Sequence, residues 1–192
     1  MKKMMTVLLL AFAVIFQLSA NENWFAKKFP EKLIDKSGKE IDTATALKGK
    51  MVAVYFSASW CGPCRSFTPS LVKFYTQTAK KSGIELVFAS SDKSSADMMG
   101  YMKKYSMPWL CLPFDAPQKT ALKKELRVGG IPRLVVFGKD GKLISDNARW
   151  DVAILGAKAA DAWQKDDYKP LTYKDAPKKK AGTRTKKKAK RR

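Results

Sequence analysis

Apolar residues in this chain fall in short blocks separated by Gly, Pro and Lys-rich breaks, and the spacing within each block predicts its element. Lys32-Leu33-Ile34-Asp35 and Lys39-Glu40-Ile41 flank Ser37-Gly38, the pattern of a small hairpin. Residues 51–57 are almost continuously apolar and rich in β-formers, as a central strand covered on both faces would be. Over about 62–81, Phe67, Leu71, Phe74 and Tyr75 recur at helical spacing and Gly83 marks the end. Pro69 is expected to kink that helix, because proline lacks the N–H and crowds the preceding turn. Residues 84–89 form the next predicted strand, and helices are predicted over 97–105 and 120–126. Leu134-Val135-Val136-Phe137 and Lys142-Leu143-Ile144 flank Gly138-Lys139-Asp140-Gly141, whose Asp-Gly favours a tight antiparallel turn. A last helix is predicted over 152–163. The order strand, helix, strand, helix, strand, strand, helix implies right-handed parallel crossovers, with the late hairpin adding an antiparallel edge. The expected fold is a single α/β domain with a central mixed sheet flanked by helices.

Both ends depart from this pattern. Lys2 and Lys3 precede an apolar run over 7–16, and Ser19 and Ala20 precede polar Asn21, which describes a secretory signal peptide over residues 1–20. The run falls short of the 18 or more residues of a spanning helix, although retention as an uncleaved anchor is the alternative. Leu18 is bulky for the position three before a cut after Ala20, and no Cys follows Ala20 to accept a lipid. The Met-Lys-Lys opening has a bacterial look, so the expected destination is the periplasm or beyond. At the other end, residues 174–192 hold eleven Lys/Arg and one Asp, with no large apolar side chain. Such a segment buries too little surface to offset its ordering entropy and is expected to be a disordered arm. Residues 21–173 remain as the folded domain.

Composition narrows the chemistry. The 192 residues carry 38 Lys+Arg against 17 Asp+Glu, a formal charge of +21, and contain three cysteines and no histidine. Without histidine there is no Ser-His-Asp or Cys-His hydrolase and no His-ligated zinc or haem. About half of the excess charge sits in the arm. It serves either as a solvated tail or as a contact for anionic lipid, envelope polymer or nucleic acid, and any such binding would collapse with salt.

Trp60-Cys61-Gly62-Pro63-Cys64-Arg65 lies where a buried strand gives way to a helix. Cys61 falls at the helix N-terminus, where unpaired N–H groups and the macrodipole favour the thiolate that attacks a disulfide. Cys64, one turn on, is within disulfide range, and Pro63 suits the first helical turn. The pair can therefore open and close without unfolding. A zinc half-site is the alternative, but only Cys111 remains to complete four ligands. A permanent staple is another, but a four-residue loop closes little entropy. Ile131-Pro132, after Gly129-Gly130 and before a strand, is a candidate cis bond. Cys111, in an apolar stretch, is expected to be buried and unreactive, with a regulatory disulfide as the alternative. Trp24, Trp109, Trp150 and Trp163 are expected in packing roles, and Arg65 is expected to face solvent.

At this point the sequence resembles the thioredoxin superfamily, and within it the tryparedoxin and nucleoredoxin branch, over residues 33–151. The resemblance is carried by Tyr55-Phe56-Ser57-Ala58-Ser59-Trp60-Cys61-Gly62-Pro63-Cys64-Arg65-Ser66-Phe67-Thr68-Pro69, by Ser90-Ser91-Asp92, by Met107-Pro108-Trp109-Leu110 with Leu112-Pro113-Phe114, and by Gly130-Ile131-Pro132. It implies a thioredoxin fold in which Cys61 is the exposed nucleophile and Cys64 the resolving thiol. Pro132 would be cis beside the disulfide, Ile131 would offer its backbone to a substrate, and Trp60, Gly62 and Pro63 would complete the contact surface. Thioredoxins place a buried Asp where Tyr55 stands, which leaves the proton acceptor for Cys64 unassigned, with Glu85 a weak candidate. Gly62-Pro63 is the pair associated with reducing members. The implied function is a thiol-disulfide oxidoreductase, acting on protein disulfides with electrons from a dithiol donor, as a monomer and without a prosthetic group. The alternatives are a non-catalytic module that uses groove and arm to bind an anionic partner, and a peroxidase, which would want Ser or Thr where Ala58 stands.

Overall fold

The structure is a computed structural model that describes residues 24–25 and 27–177; the expected signal peptide, and residues 178–192 of the expected arm, lie outside it. Seven strands form one mixed sheet: β1 (Lys32–Ile34), β2 (Glu40–Asp42), β3 (Met51–Ser57), β4 (Ile84–Ser90), β5 (Leu110–Cys111), β6 (Arg133–Phe137) and β7 (Leu143–Ser145). Their spatial order is β2-β1-β5-β4-β3-β6-β7. β3 runs parallel to β4, from Met51 opposite Ile84 to Ser57 opposite Ser90, and β4 runs parallel to β5. β6 lies antiparallel to β3, so the late hairpin adds an antiparallel edge as expected, and the first hairpin adds another at the opposite edge, where β1 lies antiparallel to β5.

The continuous apolar runs are explained by cover on both faces. Met51, Ala53 and Tyr55 face a core with Leu71, Phe74, Met98, Tyr101 and Trp163. Val52, Val54 and Phe56 face the other core, with Phe29, Leu47, Leu122 and Val128. The helices that cover the sheet are α1 (Thr43–Leu47), α2 (Gly62–Phe74), α3 (Ser95–Lys104), α4 (Pro117–Glu125), α5 (Arg149–Leu155) and α6 (Ala159–Ala162). This is a single-domain thioredoxin fold.

Several elements differ from the expectation. α2 holds Pro69 inside its run, and a π-helical turn over Tyr75–Ala79 replaces the regular helix expected there. There Tyr75 turns inward and donates its hydroxyl to Glu85 at 2.6 Å. The single last helix is broken: Gly156, at φ 56°, ends α5, and a 3-10 turn over Gly156–Lys158 leads into α6. With ψ −126°, Gly156 takes a backbone conformation open to glycine and costly for residues with a Cβ, which turns the chain out of the helix. β5 and α1 leave no periodic signal in the sequence, since two and five residues are too short for one. Asp151, given no role by the pattern, is fully buried and accepts from Trp163 Nε1 at 2.9 Å and from Leu171 N–H at 2.8 Å. Tyr173–Asp175, at the start of the expected arm, forms a 3-10 turn capped by Thr172.

Cys111 is fully buried in β5, and burial pushes its thiol up to about 12. Burial also raises the phenols of Tyr55, Tyr75 and Tyr168 above the ordinary tyrosine range. For Tyr168, the neighbouring Asp151 carboxylate adds to the effect of burial. Groups raised in this way hold their protons in the folded chain and release them at lower pH when unfolded. Their contribution to stability is therefore complete below about pH 9 and is lost as pH rises through the range between the unfolded and folded values. Thermal melts should show a Tm that falls steadily above about pH 9, and a Tm flat to about pH 11 would contradict this burial. At about pH 8 a thiol reagent should find Cys111 only after denaturation.

Candidate active site

The site begins where β3 ends. Ala58 to Trp60 turn the chain, and Cys61 caps α2, with its Sγ accepting from Cys64 N–H at 3.2 Å. The Cα atoms of Cys61 and Cys64 are 5.2 Å apart and the two sulfurs are joined. Cys61 keeps 6% of its surface and Cys64 none, so only the first is open to attack on a substrate. The pair packs with Ala58 against Ile131. The Ile131–Pro132 bond is cis, and the Ile131 carbonyl oxygen lies 3.7 Å from Cys61 Sγ. Trp60, 57% exposed, stands on the rim, with Gly62 and Pro63 exposed beside it. The sequence-predicted residues are thus brought together at one place, with Cys64 and Pro132 buried there.

A second loop holds the first in place. Asp92 is buried and accepts from Ser59 N–H at 2.7 Å through Oδ1 and from the Ser90 hydroxyl at 2.7 Å through Oδ2. Trp60 Nε1 donates to the Ser91 carbonyl at 3.1 Å, and Ser91 N–H donates to the Ser57 carbonyl at 2.8 Å. Ser90-Ser91-Asp92 contributes to the resemblance, but the sequence pattern does not assign it this positioning role. Its only signal is a buried-strand end followed by an acid, which alone is common.

Beneath Cys64 lie hydroxyl groups. Thr68 Oγ1 donates to the Cys64 carbonyl at 2.9 Å and lies 2.9 Å from the Tyr55 hydroxyl and 2.6 Å from that of Tyr101. Ser57 Oγ is 3.3 Å from the Tyr101 hydroxyl. The Tyr55 hydroxyl also reaches the Cys64 carbonyl, at 3.5 Å, so the three hydroxyls form one linked network under that oxygen. Glu85 does not serve here. It pairs with Val52 at the opposite end of β3, where Tyr75 and Lys50 engage it. Three strand residues, roughly 10 Å, separate it from the level of Tyr55.

The other expected residues fall as follows. Arg65 is exposed, with Nη1 3.4 Å from the Ser59 carbonyl. Trp109 and Trp163 are core residues, whereas Trp24 packs at a tilt on Phe137 and Trp150 carries the Arg149 guanidinium over its ring. Cys111 lies on β5, separated from β3 by β4.

Comparison with known proteins agrees with this geometry. A thioredoxin-like family model matches residues 49–143. A tryparedoxin of Trypanosoma brucei brucei is 43% identical over 119 residues, covering 61% of this chain and 80% of that protein. The chain belongs to the thioredoxin-like family. Probable nucleoredoxin 1 of Arabidopsis thaliana is 39% identical over 132 residues, covering 68% of this chain but 22% of the relative. The chain thus spans only about a fifth of that nucleoredoxin. Among solved structures, tryparedoxin II from Crithidia fasciculata aligns with a TM-score of 0.66 and 33% identity, over 83% of this chain and 99% of that one.

Proposed function

We propose that this protein is a thiol-disulfide oxidoreductase that reduces disulfides in protein substrates through Cys61 and Cys64. The observation that carries the reading is the joined pair at the N-terminus of α2, with one accessible member facing the Ile131–Pro132 loop. In the reduced protein, the Cys61 thiolate attacks one sulfur of a substrate disulfide. That S–S bond breaks, a mixed disulfide forms, and the other substrate sulfur leaves as thiolate. Cys64 then gives up its proton and attacks Cys61 Sγ. The Cys61–Cys64 bond forms, the second substrate thiol is released, and two electrons have passed to the substrate. A dithiol donor reverses these steps on the protein. Helix N–H groups, including that of Cys64, favour the Cys61 thiolate.

The reducing direction is supported by the Gly62-Pro63 pair, and export by residues 1–20. The test is to follow Trp60 fluorescence in a thiol redox buffer and to assay insulin reduction. A reductase should equilibrate near roughly −270 mV, whereas a value near about −120 mV would make the pair a disulfide donor. Absence of any reversible fluorescence change would remove the redox reading itself.

A further inference from the structure

The rim on the Ile131 side bears on which proteins the dithiol meets. Lys123 and Lys124 form the last turn of α4, and both are exposed, as is Arg127. Arg127 takes a left-handed backbone, φ 49°, and Val128 N–H bonds back to the Lys123 carbonyl at 2.9 Å with its side chain buried. The chain then surfaces at Gly129 and Gly130 and reaches Ile131 beside Cys61. Arg127 and Ile131 are four positions apart, at most about 14 Å of chain. Lys123, Lys124, Arg127 and Gly129 line a shallow depression of about 460 Å³.

Two features of this rim are unexplained by folding. Neither Gly129 nor Gly130 has a positive φ, and a Cβ at either would meet nothing within 4 Å. Neither conformation nor internal packing therefore demands glycine, and the bare backbone leaves room for another chain to approach closely. The three cations also have no carboxylate partner among the described residues, while Glu125 on the same helix is taken by Lys28 at 2.6 Å. The helix dipole accounts for Lys123 and Lys124 in part, but Arg127 lies beyond the last turn. The chain's own C-terminal segment is no occupant, since residues 178–192 contain ten Lys/Arg and no Asp or Glu.

We propose that this rim docks an acidic, extended segment flanking the target disulfide of a protein substrate. The segment's main chain passes over Gly129–Gly130, and its carboxylates meet Lys123, Lys124 and Arg127. At about 3.3 Å per extended residue, the acidic side chains lie some three to five positions from the attacked cysteine. The inference rests on the thiol-disulfide reading proposed above.

The test uses the full chain, reduced beforehand, and two disulfide-linked peptides that differ only in carrying Glu or Lys at those positions. Hydroxyethyl disulfide, which is neutral and too small to reach the rim, is the third substrate. The acidic peptide should react on the order of tenfold faster at low ionic strength, as expected of three exposed charge contacts, and the advantage should shrink in about 0.5 M salt. The formal charge of +21 favours any acidic peptide, so the variants decide. Lys123→Glu/Lys124→Glu/Arg127→Glu should abolish or invert the preference while the hydroxyethyl disulfide rate is unchanged. The control Lys73→Glu/Lys80→Glu/Lys81→Glu, also at exposed positions, should keep the preference. Gly130→Val should slow both peptides severalfold and spare hydroxyethyl disulfide. Equal loss of preference in the two charge variants, or a preference that survives reversal at the rim, would overturn the docking surface. Failure to reduce any of the three substrates would overturn the oxidoreductase reading instead.

Discussion

Cys61→Ser is expected to bring insulin reduction to the uncatalysed background, a loss on the order of 10³-fold or more, because the nucleophile itself is removed. Serine preserves the size of the side chain and its place as acceptor for Cys64 N–H. Its hydroxyl, however, does not ionise near neutral pH, and Cys64 cannot replace it, because that residue has no accessible surface. Cys64→Ser separates the two chemical steps. Attack by Cys61 should proceed, but no thiol then resolves the mixed disulfide, so mass spectrometry should find one substrate equivalent held on Cys61. Cys111 should not rescue it, since its thiol is buried in β5 and pushed up to about 12. Folding is the control: Cys61→Ser should melt with the reduced wild type, because both lack only a four-residue loop closure, worth about 2 kcal/mol in the chain-entropy account. Activity that survives Cys61→Ser in a folded protein would remove Cys61 as the nucleophile.

The parts of this molecule legible in the sequence are those governed by local pattern. β3 and β4 are readable because cover on both faces leaves an unbroken apolar run, and the dithiol because its spacing and its place at a strand-to-helix junction carry its chemistry. The elements that escape a sequence reading depend on partners distant along the chain. β5 is two residues long and is a strand only because β1 and β4 flank it. Asp92 acts on Ser59 across 33 positions, and the hydroxyls of Thr68 and Tyr101 meet beneath Cys64 only after α2 and α3 pack on the same face. Glu85 is a candidate by its type alone, and the parallel register of β3 and β4 places it at the wrong end of the sheet. The last helix has the right periodicity on both sides of Gly156, so its break rests on one glycine that a periodic pattern tolerates.

Asp151→Ala should cost the fold more stability than loss of the Cys61–Cys64 bond. The carboxylate is fully buried in the first turn of α5, and each oxygen holds one N–H, from Trp163 on one side and Leu171 on the other. Alanine would leave both donors in the interior without a partner. Hydrogen bonds to a charged group contribute about 1.5–3 kcal/mol each, so the loss should be about 3–6 kcal/mol. For a domain of this size that corresponds to a fall in Tm of roughly 6–24 °C, read by circular dichroism or calorimetry. Asp151→Asn keeps one acceptor oxygen but turns an amide N–H₂ toward the other donor, so it should be intermediate. Below the lowered Tm, activity per folded molecule should match wild type, because Asp151 contacts neither cysteine. An unchanged Tm in Asp151→Ala would show that Leu171 and Trp163 are held by apolar packing alone. Leu171 lies well beyond residues 49–143, the span shared with the thioredoxin-like family model. The buried carboxylate thus couples a C-terminal segment outside the shared pattern to the core beneath α5, and its loss should first release that segment to proteolysis.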